Sequence, residues 1–412
     1  MQPFWTSHNG ETKLTLYQGD VLDVLRQLPA ESVHCCITSP PYWGLRDYGV
    51  VGQIGLEETP DEYVEKMVQV FREVRRVLRQ DGTLWLNLGD SYAGSTMSGG
   101  DGSASTLVGT HHRRRTDSPR LHGHRRISPG LKPKDLVGIP WMVAFALRDD
   151  GWYLRADIVW AKPNPMPESV TDRPTKSHEY VFLLSKSPRY YYDADAIREP
   201  HTSSVDPSKL VGWQEARRGA GASEKVGDAS SYANGRDRTR TLRQPGGGKV
   251  YLGNPAGRNK RSVWWIATEP FPESHFAVFP TALVEPMILA GTSPRACPHC
   301  GAPWRRVVDK ERVKVSDSPR YKGVTMRNDA DDARYTSLRR EMGWRPTCSC
   351  PDNDGSGRCV VLDPFNGSGT TMLVAQRLGR SAIGIELNPE YCNIARRRLE
   401  KEHLQVRLPV FD

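Results

Sequence analysis

No stretch of this chain stays apolar for the ~20 residues that a membrane-spanning helix needs. Its start, Met1-Gln2-Pro3-Phe4-Trp5-Thr6, has no resemblance to a secretory leader. Both absences predict a cytoplasmic protein with no membrane partner. A nucleotide-phosphate loop is missing too. Gly246-Gly247-Gly248-Lys249-Val250 has glycines and a lysine but neither the spacing nor the Ser or Thr that must follow. The histidine clusters, His111-His112 and His122-Gly123-His124, run into arginines and have no cysteine beside them. Such clusters suit phosphate better than a metal ion.

What is present suffices for a full core. Of 412 residues 37% are hydrophobic, while 37 glycines and 31 prolines point to long loops. Length alone fits one large domain with insertions or two smaller domains. The net charge of +9 is concentrated: residues 95–134 carry 8 basic and 2 acidic side chains, 193–261 carry 13 and 8, and the remainder is slightly acidic. A near-neutral core with two basic segments predicts a polyanion held at those segments through its phosphates. Two solvated loops are the plainer reading. Within the second segment, Arg236-Asp237-Arg238-Thr239-Arg240 makes 193–262 the candidate recognition region, because arginine forks suit guanine edges and phosphates.

Alternation and apolar runs predict strands over 14–18, 33–37, 83–88, 154–160, 179–184, 263–266, 360–362 and 382–385. Helical spacing predicts helices over 21–28, 60–79, 134–148, 281–290 and 370–378, with a last one opening at Asn388-Pro389-Glu390 and ending in solvated arginines 396–398. The organising stretch follows the first buried strand: Thr38-Ser39-Pro40-Pro41-Tyr42-Trp43. Two prolines stop the ladder and hold Ser39 and Pro40 extended. A side-chain oxygen, a fixed carbonyl and an aromatic ring within four residues meet the needs of an exocyclic base amine, which are two acceptors and a stacking face. An ordinary strand-ending turn has the same composition.

Near the other end, Val361-Leu362-Asp363-Pro364-Phe365-Asn366-Gly367-Ser368-Gly369-Thr370-Thr371 reads as strand, Gly-rich turn and helix, the first βα unit of a nucleoside-binding fold. Gly367 and Gly369 would let the backbone approach a ligand. Met372 replaces the third glycine of a dinucleotide fingerprint. Acids end three predicted strands: Asp20, which also suits a helix N-cap, Asp363, and Glu386, placed to hold two ribose hydroxyls. Asp90 ends a fourth and is a further pocket candidate. The proline-rich run 160–167 can be neither helix nor ladder and reads as a rigid connector.

These two motifs resemble the hallmarks of the amino-group DNA methyltransferases, and their order, catalytic motif first and cofactor loop last, resembles the permuted beta class. The likeness covers most of the chain outside its insertions. It implies a Rossmann-like α/β, S-adenosylmethionine-dependent methyltransferase fold, circularly permuted. Ser39, Pro40, Pro41 and Tyr42 would be catalytic, and duplex DNA the substrate, with Lys162 or Asn164 of the proline-rich run as candidates for contact with it. Asp20, Asp363, Phe365, Gly367, Gly369, Thr370 and Glu386 would bind S-adenosylmethionine, with Asp20 accepting from its adenine amine and Asp363 near its methionine end. Ser at position 39 favours cytosine N4 over adenine N6, since Ser is commonest among the cytosine enzymes and Asp among the adenine ones. The chain has no Pro-Cys dipeptide, the nucleophile signature of the cytosine-C5 enzymes. A partnering restriction endonuclease and a homodimer are both compatible with this reading. The rival from another class is a nucleic-acid-binding module with an inactive core.

Cys297, Cys300, Cys348 and Cys350 form two tight pairs, which in a reducing cytosol predict a structural zinc rather than disulfides, with free thiols as the alternative. The one-residue gap of the second pair departs from the usual two, leaving His299 or Cys359 as substitute ligands. The expected organisation is a catalytic half over 1–94, a basic insertion over 95–133, core over 134–192, recognition region over 193–262, core over 263–296, a cysteine-bearing insertion over 297–350, and a cofactor-binding half over 351–412.

Overall fold

The computed structural model describes residues 2–94, 130–200, 241–243, 249–251, 257–271, 278–316 and 334–407. Nearly all of the basic insertion and most of the recognition region, Arg236 to Arg240 included, lie outside the described residues. The chain divides into two units, one comprising 1–196, 261–305 and 345–412, the other 197–260 and 306–344. The cysteine pairs therefore belong to the first unit, while the chain between them belongs to the second.

The first unit is built on a nine-stranded sheet ordered β1-β2-β13-β12-β3-β4-β6-β5-β9. Its centre is parallel: β2 (Thr12–Gln18), β13 (Ser381–Glu386), β12 (Val360–Asp363), β3 (Val33–Thr38) and β4 (Leu78–Leu88). Every residue of β3 is buried, as a strand covered on both faces requires. β6 (His178–Ser185) runs antiparallel to both β4 and β5 (Tyr153–Ala161). The strand β9 (Val263–Trp265) lies outside β5, and β1 (Trp5–Asn9), not expected from the sequence, closes the other edge.

Among the described residues, six helices flank the sheet: α1 (Val21–Gln27), α2 (Pro60–Val77), α3 (Ile139–Asp149), α4 (Thr281–Gly291), α5 (Thr370–Arg377) and α6 (Pro389–Arg407). The longest of those with a described cap, α2, shows why they form. Thr59 and Glu62 make a capping box, Pro60 occupies the first turn, and Tyr63, Met67, Val70, Phe71, Val74 and Val77 recur at helical spacing and are all buried. Each such side chain contributes about 1.5–3 kcal/mol.

The helix expected from Lys134 begins only at Ile139. Lys134 has φ 72° and Gly138 φ 85°, conformations no helix contains. Asp90 accounts for this start: its Oδ1 accepts from the amides of Gly138 (2.9 Å) and Ile139 (3.0 Å), so the pocket candidate is a helix cap. In the second unit, β7 (Thr241–Arg243) pairs with β8 (Lys249–Tyr251), and β10 (Arg305–Ser316) with β11 (Arg334–Arg345).

Candidate active site

The strand order makes the site. From β12 the chain leaves through α5 to β13 on one side; from its other neighbour, β3, the chain leaves through α2 to β4 on the opposite side. Where connections diverge, the carboxyl edge of an open α/β sheet splits into a ligand crevice. A partly open cleft with about 920 Å³ of empty space lies there. Among the residues singled out in the sequence, Asp20, Ser39, Pro41, Phe365, Gly367, Thr370 and Glu386 line it, whereas Pro40, Tyr42, Asp363 and Gly369 do not.

Glu386, at the tip of β13, accepts the Gly367 amide on Oε2 (2.7 Å) and the Asn388 amide on Oε1 (2.8 Å). Burial outweighs these amides and pushes its pKa up to about 7. Each carboxylate oxygen keeps another lone pair, so two ligand hydroxyls can still be bound. Asp20 caps α1, its Oδ1 accepting from the amides of Leu22 (2.8 Å) and Asp23 (3.2 Å), and it also faces the cleft.

Asp363 is 1% exposed and acts as a strut. Its Oδ1 accepts from Thr38 Oγ1 (2.7 Å) and the Phe365 amide (3.1 Å), and its Oδ2 from Thr371 Oγ1 (2.7 Å). Burial pushes its pKa up to about 6 against those bonds. Gly369 also differs from expectation. With φ 82° and a would-be Cβ 3.0 Å from that of Ala395, it admits the packing of α6 against the loop, not a ligand.

The loop 39–42 is held from both ends: Tyr63 donates its hydroxyl to the Pro41 carbonyl (2.9 Å), and Trp43 Nε1 donates to the Glu57 carbonyl (3.0 Å). Between them runs a chain of hydroxyls. Ser39 Oγ donates to Tyr42 Oη (3.1 Å), and Tyr42 donates to Glu179 Oε2 (2.7 Å). The ring of Tyr42 lies against Gly89, where a Cβ would come within 2.5 Å of it.

Glu179 opens β6, and because β6 is antiparallel to β4 it falls at the same sheet edge as Ser39. Burial would raise its pKa, but the charge of Lys162, which is ion-paired to Oε1, and bonds from Tyr42 and Asn87 hold it below the usual range. Tyr42, raised well above its ordinary range by burial and then by Glu179, stays protonated. Asn87 donates to Tyr42 Oη (2.5 Å) and Glu179 Oε2 (2.8 Å), leaving its own buried Oδ1 without a partner.

The sequence profile of the DNA methylase family matches residues 33–297 and 349–397, three quarters of the chain and both of its hallmark loops. The chain belongs to that family. The methylase is 39% identical to the type II methyltransferase M.Cfr9I of Citrobacter freundii over 95% of this chain and 89% of that one. It is 38% identical to the type II methyltransferase M.SmaI of Serratia marcescens, over 92% and 89%. Among solved structures, the cytosine-N4-specific PvuII DNA methyltransferase aligns over 98% of this chain and 95% of that one, with 16% identity and a TM-score of 0.49. The chain is accordingly an S-adenosylmethionine-dependent DNA methyltransferase of the N6/N4 type, with the Rossmann-like sheet permuted so that its catalytic strand precedes its cofactor loop.

Sequence reasoning missed several residues of the methylase site. Tyr48 and Tyr391 line the cleft and meet edge to face with ring centroids 6.3 Å apart. Arg398, read as solvated, donates to the Ser368 carbonyl (2.7 Å), Ser368 Oγ (2.8 Å) and Thr370 Oγ1 (3.2 Å), bracing the cofactor loop. The two DNA candidates of the proline-rich run are engaged elsewhere: Lys162 with Glu179, and Asn164 in paired bonds to Thr268 (both 3.0 Å). Among the described residues no helix is long and apolar enough to cross a membrane.

Proposed function

We propose that this methylase transfers a methyl group to the N4 amine of cytosine in duplex DNA, the base being turned out of the helix to reach the cleft. The observation that carries the reading is the chain from Ser39 through Tyr42 to Glu179. Ser39 is a neutral acceptor, weaker than the Asp that most adenine enzymes of the resembled family use. Here its hydroxyl proton is spent on Tyr42, so that beside a long bond from Asn87 Nδ2 (3.4 Å) it keeps a lone pair for the amine, and the charge of Glu179 is felt through two hydrogen bonds. The Pro40 carbonyl is the second acceptor of this reading, and the unpartnered Oδ1 of Asn87, whose amide nitrogen reaches Ser39 and Tyr42, is a further one.

S-adenosylmethionine, when bound, supplies an electrophilic methyl group. The cleft fits it: a carboxylate for its ribose at Glu386, a second acid at Asp20, and the apolar walls of Phe365, Ile54 and Tyr391. Ser39 and the Pro40 carbonyl draw the two amine hydrogens into the plane of their acceptors, which turns the nitrogen lone pair toward the methyl. Positioning supplies most of the rate in such an in-line displacement. The methylated amine then sheds one proton to Ser39 as Ser39 passes its own to Tyr42 and Tyr42 passes its own to Glu179. Tyr42, tethered at its hydroxyl and backed by Gly89, has the fixed ring plane that a stacking surface needs.

Hydrolysing methylated DNA to nucleosides and weighing them tests the choice of base. N4-methylcytosine is expected; N6-methyladenine in its place would overturn it. The relatives' type II character supports a partnering endonuclease of the same specificity, which would fail to cut DNA this enzyme had methylated.

A further inference from the structure

The four cysteines of the two pairs lie in one cluster, with all sulfurs within 4.8 Å of one another and all four thiols free. We infer that Cys297, Cys300, Cys348 and Cys350 hold one structural zinc ion as a tetrathiolate that fastens the ends of the 301–347 insertion to the catalytic sheet. The alternative ligands considered from sequence drop out. His299 is not part of the cluster, and Cys359 is fully buried beside Cys35 in the core.

A tetrahedral site with Zn–S near 2.3 Å places its sulfurs about 3.8 Å apart, so the cluster needs only a small contraction around the ion. The backbone already has the required shape. Residues 295–304 form a tight turn, with Ala296 bridged to Pro303, the Cys297 amide donating to the Ala302 carbonyl (2.9 Å) and the Gly301 amide to the Cys297 carbonyl (2.9 Å). Gly301, at φ 69°, makes the reversal that a side chain would strain.

Four thiolates around a divalent ion leave a net charge of −2, which needs hydrogen-bond donors around the sulfurs. The amides of Cys300 and His299 point at Cys297 Sγ, and Asn353 Nδ2 donates to Cys348 Sγ (3.2 Å). Asn353 is itself oriented by Trp304 Nε1 (3.0 Å). Zinc would displace the thiol protons to solvent, with no redox partner involved.

Two contacts tie this cluster to the chemistry. Arg79, at the start of β4, donates to the Cys300 carbonyl (2.9 Å). His34, on β3, joins its Nε2 to the Gly301 carbonyl (2.7 Å), while its Nδ1 accepts the Val360 amide (3.0 Å). The metal turn is thereby fixed to β3 and β12, the two strands that lead to Ser39 and end in Asp363.

Elemental analysis of the purified full-length enzyme after exhaustive dialysis tests the inference. One zinc per chain is expected, and titration with an organomercurial should release it into a chromogenic chelator as four thiols react. Because Cys297→Ser could unfold the turn, cobalt exchange into the wild-type protein serves as the second measurement, expected to give the intense charge-transfer bands of a tetrathiolate. A folded, DNA-methylating enzyme without metal, iron in place of zinc, or two disulfides would each overturn the assignment. So would zinc whose cobalt form shows nitrogen or oxygen ligation. With zinc removed, limited proteolysis should cut within 300–350 first; unchanged cleavage would remove its fastening role.

Discussion

Thr38 and Asp363 are joined by a buried 2.7 Å hydrogen bond across the tips of β3 and β12, though 325 residues separate them in the chain. One is the residue before Ser39; the other begins the cofactor loop. The bond directly couples the loop that carries Ser39 to the Gly-rich loop that follows Asp363. Its second partner, Thr371, extends the link into α5.

Thr38→Val should keep the shape and remove this donor. Loss of one partner from a buried acid costs about 1–3 kcal/mol, and denaturant unfolding should show a loss of that size. Catalysis should fall as well, since the tips are no longer registered. A variant as stable and as active as the parent would show that packing alone aligns the loops.

As the proposed ribose-binding carboxylate, Glu386 should make cofactor binding depend on pH. In the free enzyme burial holds its pKa up at about 7, so near neutrality the carboxyl is partly protonated. Only the ionised form accepts two hydroxyls with both oxygens. Affinity for S-adenosylmethionine, measured by calorimetry, should therefore rise from pH 6 through 7 and level off above. Glu386→Ala should lose about 2 kcal/mol of binding and flatten that dependence. An affinity that falls as pH rises would exclude the assignment.

The parts of the site legible in the sequence were those carried by a local pattern. Ser39, Gly367 and Glu386 each follow an apolar strand at a turn, and strand order brings their tips together. What was illegible depended on distant pairing. Glu179 could be read as part of a strand, but only the antiparallel register of β6 against β4 brings it to Tyr42. Arg398 lies in an arginine run that looks solvated until α6 folds back over Ser368. Asp90 and Gly369 failed in the opposite way, because a strand-end acid and a loop glycine have structural uses, a cap and a helix contact, that produce the same sequence signal.

Arg398→Met tests that brace directly. It keeps most of the apolar stem and removes the bonds to Ser368 and Thr370. Hydrogen bonds from a charged donor contribute about 1.5–3 kcal/mol, so cofactor affinity should drop roughly tenfold or more. Since these bonds go to Ser368 and Thr370 and not to the Ser39 loop, turnover at saturating cofactor should change little. A drop in turnover with unchanged affinity would mean the arginine acts elsewhere.

The chain from Ser39 to Glu179 makes the sharpest demand. Tyr42→Phe preserves the ring against Gly89 but breaks both bonds, leaving Ser39 without its acceptor and removing one of the two donors to Glu179 Oε2. If the chain polarises Ser39 and carries the departing proton, single-turnover methylation should slow by about 10²-fold, the low end of what a positioned proton-transfer group contributes. Cofactor affinity should be unchanged, because Tyr42 does not line the cleft. Glu179→Gln should slow turnover comparably, since an amide cannot take the proton, and it should not be rescued at high pH. Ser39→Ala should be slower than either, having lost the acceptor itself. Wild-type rates in Tyr42→Phe and Glu179→Gln, with only Ser39→Ala impaired, would leave Ser39 acting alone and reduce the other two to packing.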